Sequence, residues 1–474
     1  MTTATVVGSG PNGLAAAVTL AQQGVRVTVI EAQDRIGGGL RSSNDLTVPG
    51  LLHDDCAAFH PMAAGSSFLK SLPLAEHGLT WLYPEIDAAH PVDGGDAGFL
   101  RRSVTATAKG LGADGRRWAS LFGPLSEGYD QLAGDVLRPL LSGIPHHPLL
   151  VARLGVNTLL PAMVTARRFS SPTTRALFGG VAAHAMRPLT DLLSGAIGTM
   201  IIAAGHRYGW PVAAGGSQSI ATALAAVLEG YGGRFETGRR VTSLAELGTP
   251  DIVMLDLEPG AAADVIGDAL PARVARAYRS FRRAPGAFKV DLAVQGGIPW
   301  TNPEVARAGT VHLGGSLEEI RVLERDVQRG IMPENPFVLV GQQYVADPSR
   351  SVGDVHPVYA YAHVPNGYTG DATEAILRQF ERFAPGTRER VLAVHSRGTV
   401  AIEEHDANMV GGDIITGQND LLYTVSKPIL SSDPYRTGVA GVYLCSAATP
   451  PGAGGHGLSG HNAALSALRR AARA

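Results

Sequence analysis

Cysteine is nearly absent from this 474-residue chain, Cys56 and Cys445 being the whole supply. Two residues so far apart build no disulfide framework, and neither stands in a C-x-x-C or similar spacing. Dithiol redox chemistry and a zinc site are therefore excluded, and no metal is expected. Such usage predicts a reducing cytoplasm. Lysine is almost as scarce, occurring at Lys70, Lys109, Lys289 and Lys427. An excess of one charge is also missing: 40 basic side chains oppose 42 acidic ones, for a formal charge of −2. The doublets Arg101-Arg102, Arg116-Arg117, Arg167-Arg168 and Arg282-Arg283 are too short to make a polybasic arm, so no nucleic-acid partner is expected. The longest apolar run, Leu192 to Gly205, falls short of the ~18 residues of a membrane span. It predicts a buried helix, with peripheral docking on a membrane as the alternative if the substrate is a lipid. The first residues carry no charged leader or small-residue cleavage site, so secretion is not expected. H-E-x-x-H and G-x-S-x-G do not occur, which removes zinc and serine hydrolysis.

What is present begins at once. Thr5-Val6-Val7 reads as a strand, Gly8-x-Gly10-x-x-Gly13 as a turn, the Ala/Leu-rich stretch to Gln23 as a helix closed by Gly24, and Val25 to Ile30 as a buried parallel strand. In that order the first glycine permits the tight turn, the second lets backbone approach a pyrophosphate, and the third lets the helix pack closely. The helix N-terminus, with Pro11 and Asn12 in its first turn, offers unsatisfied N–H groups to an anion. Glu31 ends the second strand eighteen positions after Gly13, where a carboxylate accepts both hydroxyls of an adenosine ribose and disfavours a 2′-phosphate. Ala32 follows it. The next loop, with Gly38, Gly39 and Arg41, adds accessible backbone amides and a cation near a diphosphate.

Further along, helical texture separated by proline and glycine runs from about 72 to 210. The α/β texture then returns, with a helix at Ser217 to Glu229 and strands at Gly233 to Glu236, Val241 to Leu244 and Ile252 to Leu257. Residues 281–410 alternate as strands of a mixed sheet, notably Ala287 to Val294, Phe337 to Tyr344 and Val358 to His363. The C-terminal part gives a strand at Gly441 to Cys445, a glycine-rich loop, and a closing helix from Asn462.

The glycine loop after Glu31 resembles the second flavin-binding motif of the amine oxidase and phytoene desaturase superfamily. The segment Gly441 to Ala464 resembles its C-terminal flavin-contact block. The chain is most similar to the bacterial phytoene desaturase-like group that includes mammalian pyridine nucleotide-disulphide oxidoreductase domain-containing proteins. The motifs His53 to Pro61, Gly209 to Gly216 and Val410 to Ile414 carry that likeness. Ser446 and His461 depart from it, standing where such proteins often have glycine and arginine. The resemblance implies an α/β fold in which residues 1–71, 211–280 and 411–474 form a discontinuous Rossmann-type FAD-binding domain. Residues 72–210 would be a helical insertion and 281–410 a mixed-sheet substrate domain. It also implies FAD as cofactor, with Val241 backbone at the adenine and Ala447, Gly455 and Leu458 at the isoalloxazine end.

Lys289, in Gly286 to Trp300, is similar in placement to the amine oxidase lysine that holds a water against the flavin; the plain alternative is a solvent-exposed strand-end lysine. His60 and His456 lie inside family motifs and join Lys289 as candidate catalytic residues. The leading expectation is desaturase-like hydride transfer between FAD and a largely apolar small molecule, isoprenoid or other lipid. The alternatives are amine oxidase-like oxidation with oxygen as acceptor and a non-catalytic flavoprotein scaffold.

Overall fold

A computed structural model describes residues 1–472; positions 473 and 474, which close the expected 411–474 segment, lie outside the described residues. Five short strands form an all-parallel sheet in the order Val442–Leu444, Ile252–Leu255, Thr3–Val7, Arg26–Ile30, Arg234–Glu236. Helices Pro11–Ala21, Gln218–Gly230 and Leu458–Ala471 cover one face, and Pro259–Ile266 with Ala272–Arg279 covers the other. Burial on both faces explains the continuous apolar strands. Helices Pro11–Ala21 and Leu458–Ala471 touch backbone to backbone, since a Cβ built on Gly460 would lie 1.8 Å from the Asn12 carbonyl oxygen.

Register decides where the site falls. Val7 pairs with both Ile30 and Leu255, and Leu255 pairs with Leu444. Four strands thus end together, and the residues that follow them, Gly8, Glu31, Asp256 and Cys445, share the carboxyl edge, the usual ligand-binding edge of such sheets.

A second, seven-stranded sheet runs Val391–Arg397, Gly286–Gln295, Val355–Val364, Val338–Gly341, Ala308–Leu313, Ile86–Pro91, Ala97–Leu100. Its neighbours are antiparallel except for the parallel pair Ala308–Leu313 and Ile86–Pro91. The last two strands come from the stretch expected to be helical from 72. Ile86-Asp87-Ala88-Ala89-His90 has little β-branched content, and long-range pairing makes it a strand. Helices separated by irregular segments run through 104–208, and the apolar run forms Ser194–Tyr208, largely buried. Among the described residues no helix is long and apolar enough to cross a membrane.

The strand expected at Val241 to Leu244 does not form. Thr242 donates from both its backbone N–H and its hydroxyl to Glu246 Oε1, at 3.1 and 2.5 Å, which fastens an irregular loop ending in the turn Leu244–Leu247. Local side-chain bonds have replaced a ladder.

Candidate active site

A cavity of about 90 Å³ opens on the carboxyl edge of the parallel sheet, walled by Gly8, Gly10, Glu31, Ala32, Gly38, Arg41 and Val241 together with Asp256, Arg239 and Arg240. It shares Gly10, Asp256, His405, Asp406 and Asn408 with a second cavity of about 310 Å³, so the two adjoin. Pro11, Asn12, Gly39, Ala447 and Gly455 line the wider one. Gly13 lies beneath the loop, where a Cβ would meet the Gly8 carbonyl oxygen at 2.1 Å. Leu458 opens the last helix and is buried.

Glu31 is buried and pre-aimed. Its Oε2 accepts from the Ser9 N–H at 2.9 Å and the Ser9 hydroxyl at 2.5 Å, and Oε1 accepts from the Gln33 N–H at 2.9 Å. Arg41 is fixed by donating from Nε to the Gly38 carbonyl at 3.0 Å and from its fork to the His405 carbonyl. The residues suit a dinucleotide: the cradle is backbone, an acid stands at the ribose position, and Asn12 Oδ1 is buried without a protein partner. A Cβ on Gly38 would approach the Gly10 Cα to 3.0 Å, so a side chain there would narrow the cradle.

Sequence reasoning missed Asp256. Its Oδ2 accepts the Gly13 N–H at 2.8 Å, at the positive end of the first helix. Burial, reinforced by the charges of Asp406 and Glu31, pushes its carboxyl up to about 7. A group that holds its proton more tightly when folded destabilises the fold as pH rises from its ordinary value near 3.8 to about 7. The Asp256→Asn protein is therefore expected to lose that slope and to gain on the wild type at alkaline pH. Urea midpoints compared in acidic and in alkaline buffer check this, and parallel pH profiles would contradict it. The available signal was an acid ending a buried strand on the ligand edge.

The wider cavity is walled mainly by apolar groups, including Phe59, Met62, Ile201, Trp210, Leu339 and Ile414. Lys289 is one of its charged lining residues, with Asp55, Asp256, Arg397 and Asp406. It is buried within the strand Gly286–Gln295, not exposed at a strand end, and pairs with buried Asp291 two residues along. Burial opposes the Asp291 charge, yet the Lys289 ammonium and neighbouring His395 and His53 hold its carboxyl far below the usual range. The Lys289 ammonium also lies 5.4 Å from the centre of the Tyr359 ring. Tyr359 and Tyr361 line the same wall with parallel rings 6.5 Å apart.

His60 lines this cavity and shares a 2.8 Å hydrogen bond between Nε2 and the Ser217 hydroxyl; burial lowers it to about 4, so it is neutral. His456 stands apart from the cavity walls. Its Nδ1 accepts the Leu458 N–H at 3.1 Å and its carbonyl accepts from Ser66, which ties it to the start of the last helix. His184, which no motif marked, does line the cavity, with Nε2 at 2.9 Å from His312 Nε2. Cys56 lines it as a thiol that burial raises to about 11. Among the two departures, Ser446 reaches the cavity wall, whereas His461 shares a 2.9 Å hydrogen bond with the Thr19 hydroxyl.

Residues 6–70 match the NAD(P)-binding Rossmann-like domain. The chain is 23% identical to pyridine nucleotide-disulfide oxidoreductase domain-containing protein 2 of Mus musculus, across 97% of this chain and 92% of that protein. It is 29% identical to hydroxyneurosporene desaturase of Cereibacter sphaeroides over 51% of this chain and 50% of the desaturase. Cyclohexylamine oxidase from Brevibacterium oxydans shares the fold at a TM-score of 0.59 and 15% identity, covering 100% and 99% of the two chains. Fold and site together define an α/β oxidoreductase with a flavin or nucleotide cofactor. The chain is similar to FAD-dependent desaturases and, in fold, to amine oxidases.

Proposed function

We propose that this chain binds FAD and moves a hydride between a largely apolar organic molecule, an isoprenoid or other lipid, and the flavin. The observation that carries the reading is that the nucleotide cradle adjoins a larger, mainly apolar cavity and shares lining residues with it. In this reading Gly8, Gly10, Pro11, Asn12 and Gly13 present backbone and helix N-terminus to the diphosphate, Glu31 accepts the ribose hydroxyls, and Val241 meets the adenine. Gly38, Gly39 and Arg41 close over the diphosphate, and Ala32 follows the ribose acid. Ala447, Gly455 and Leu458 border the flavin ring. FAD supplies the two-electron chemistry when bound. The chain's own contribution is to orient a C–H bond in an apolar cleft and keep water out. Neutral His60 leaves the cavity uncharged at that point. Anaerobic mixing of flavin-loaded protein with long polyenes is expected to bleach the flavin; bleaching by amines alone would overturn this substrate class.

A second reading, amine oxidase-like oxidation with oxygen as acceptor, is favoured by one observation, the buried Lys289 at the cavity wall. A fixed ammonium stabilises negative charge that develops as electrons pass to oxygen. In that case Lys289→Met should slow reoxidation by roughly a hundredfold while flavin reduction changes far less. Stopped-flow measurement of both half-reactions decides, equal effects on the two counting against this role.

A further inference from the structure

Of the large apolar side chains exposed among the described residues, eight fall between Leu140 and Val164, with Ile144 84%, Leu149 87% and Val156 68% exposed. The helix Pro148–Thr158 is apolar on both sides. Inwardly, Leu150, Val151 and Leu154 pack against Met200, Ala203 and Ala204 of the helix Ser194–Tyr208. Outwardly, Leu149 and Val156 stand on one side of the helix with Arg153 between them, and exposed Leu159 and Leu160 follow just past its end. A surface helix facing only water carries polar residues on that side, so this one is built to meet something apolar.

The charge of the same region is mainly positive: Arg138 and Arg187 at its ends pair with Asp135 and Asp191, while Arg153, Arg167, Arg168 and Arg175 have no carboxylate partner among the described residues. From Val136 to Thr190 the chain has no aspartate or glutamate and six arginines, although 42 acidic residues are spread through the whole. Arg153 also joins Arg116, Arg117 and Arg168 around a surface groove. Arg117 is paired with Asp114 at 3.1 Å, while Arg153 and Arg168 bond only to the Ser120 carbonyl and the Asn157 side-chain oxygen, neutral partners that leave their charge uncompensated.

We propose that this face docks onto an anionic phospholipid bilayer, its leucine, isoleucine and valine side chains entering the acyl boundary while the arginines meet headgroup phosphates. Charge complementarity selects that occupant. A second copy would bring the same arginine-lined groove of Arg116, Arg153 and Arg168 against itself, where like charges repel. The surface differs from the apolar run singled out in the sequence, which is largely buried as Ser194–Tyr208. The two helices are nonetheless adjacent, and Ile201 of the inner one lines the wider cavity. The bilayer would then lie one helix layer from the cavity, a short path for an apolar molecule leaving the membrane.

The test is sedimentation of the full-length protein, as purified, with vesicles of phosphatidylcholine alone or mixed with phosphatidylglycerol; it needs no turnover and so stands apart from the substrate reading. The protein is expected to pellet with the anionic vesicles and stay in solution with the neutral ones. Leu149→Asp/Val156→Asp and Arg153→Glu/Arg168→Glu should each weaken partition by roughly tenfold or more with unchanged melting temperature. Failure of the wild type to pellet with anionic vesicles would overturn the proposal, as would variants that pellet equally well. A lipid-free dimer that Leu149→Asp/Val156→Asp converts to monomer would also overturn it, assigning the face to a second copy.

Discussion

Arg350→Met is expected to lower stability by about 3–5 kcal/mol, because it strands a buried carboxylate. Arg350 and Asp54 are both fully buried and paired. The same guanidinium donates to Asp347 Oδ2 at 3.2 Å and to the Ala213 carbonyl at 2.8 Å, so one side chain joins the N-terminal segment, the 211–280 segment and the mixed-sheet segment. Burial alone would raise the Asp54 carboxyl. The guanidinium, with hydrogen bonds from Ser217 and Ser42, outweighs burial and holds it below its usual value. A lowered carboxyl stabilises the fold above its unfolded value near 3.8, and that contribution fades as pH falls through the folded value. Without Arg350, Asp54 takes up a proton more readily. The gap between variant and wild type should be full at neutral pH and narrow toward acid. Urea unfolding at neutral and mildly acidic pH measures it; a variant of wild-type stability would show that the pair is not needed.

Gly13→Val is expected to abolish cofactor retention and to destabilise the parallel sheet by about 1–3 kcal/mol or more, the cost of overpacking. The new Cβ would stand 2.1 Å from the Gly8 carbonyl oxygen and 2.9 Å from Asp256 Oδ2, so the loop and the first helix must separate. Gly110→Ala provides the control, its Cβ meeting nothing within 4 Å. Flavin absorbance per protein after purification should fall to background in the first variant and be unchanged in the second. Equal flavin content in both would contradict the role given to this loop.

These effects mark where the sequence could be read and where it could not. Gly8, Gly10, Gly13 and Glu31 belong to one local strand–turn–helix–strand unit, whose spacing carries its own geometry, and they line or underlie the narrower cavity. Asp256, Asp406 and Asn408 come to the same cavity from two hundred and more residues away, placed by strand register and loop packing that leave no local pattern. Arg350 is the same case, its partner Asp54 lying 296 positions earlier. The strands Ile86–Pro91 and Ala97–Leu100 were hidden because sheet pairing overrode weak propensity. Lys289 was placed on the right strand, but only burial beside Asp291 distinguishes it from an exposed strand-end residue. His456 sits in a glycine-rich motif that suggested chemistry, yet its imidazole caps the next helix. Exposed residues such as Leu149 and Val156 look like core positions in sequence, and only their exposure in the fold reveals a surface.

The central claim is that the cradle of Gly8 to Gly13 and Glu31 holds FAD beside an apolar cleft. The most direct test is the visible absorption spectrum of the purified protein, with the released cofactor identified by mass. The predicted result is the spectrum of an oxidised flavin and release of FAD in roughly equal amount to the chain. A colourless protein that takes up no FAD on reconstitution would contradict it.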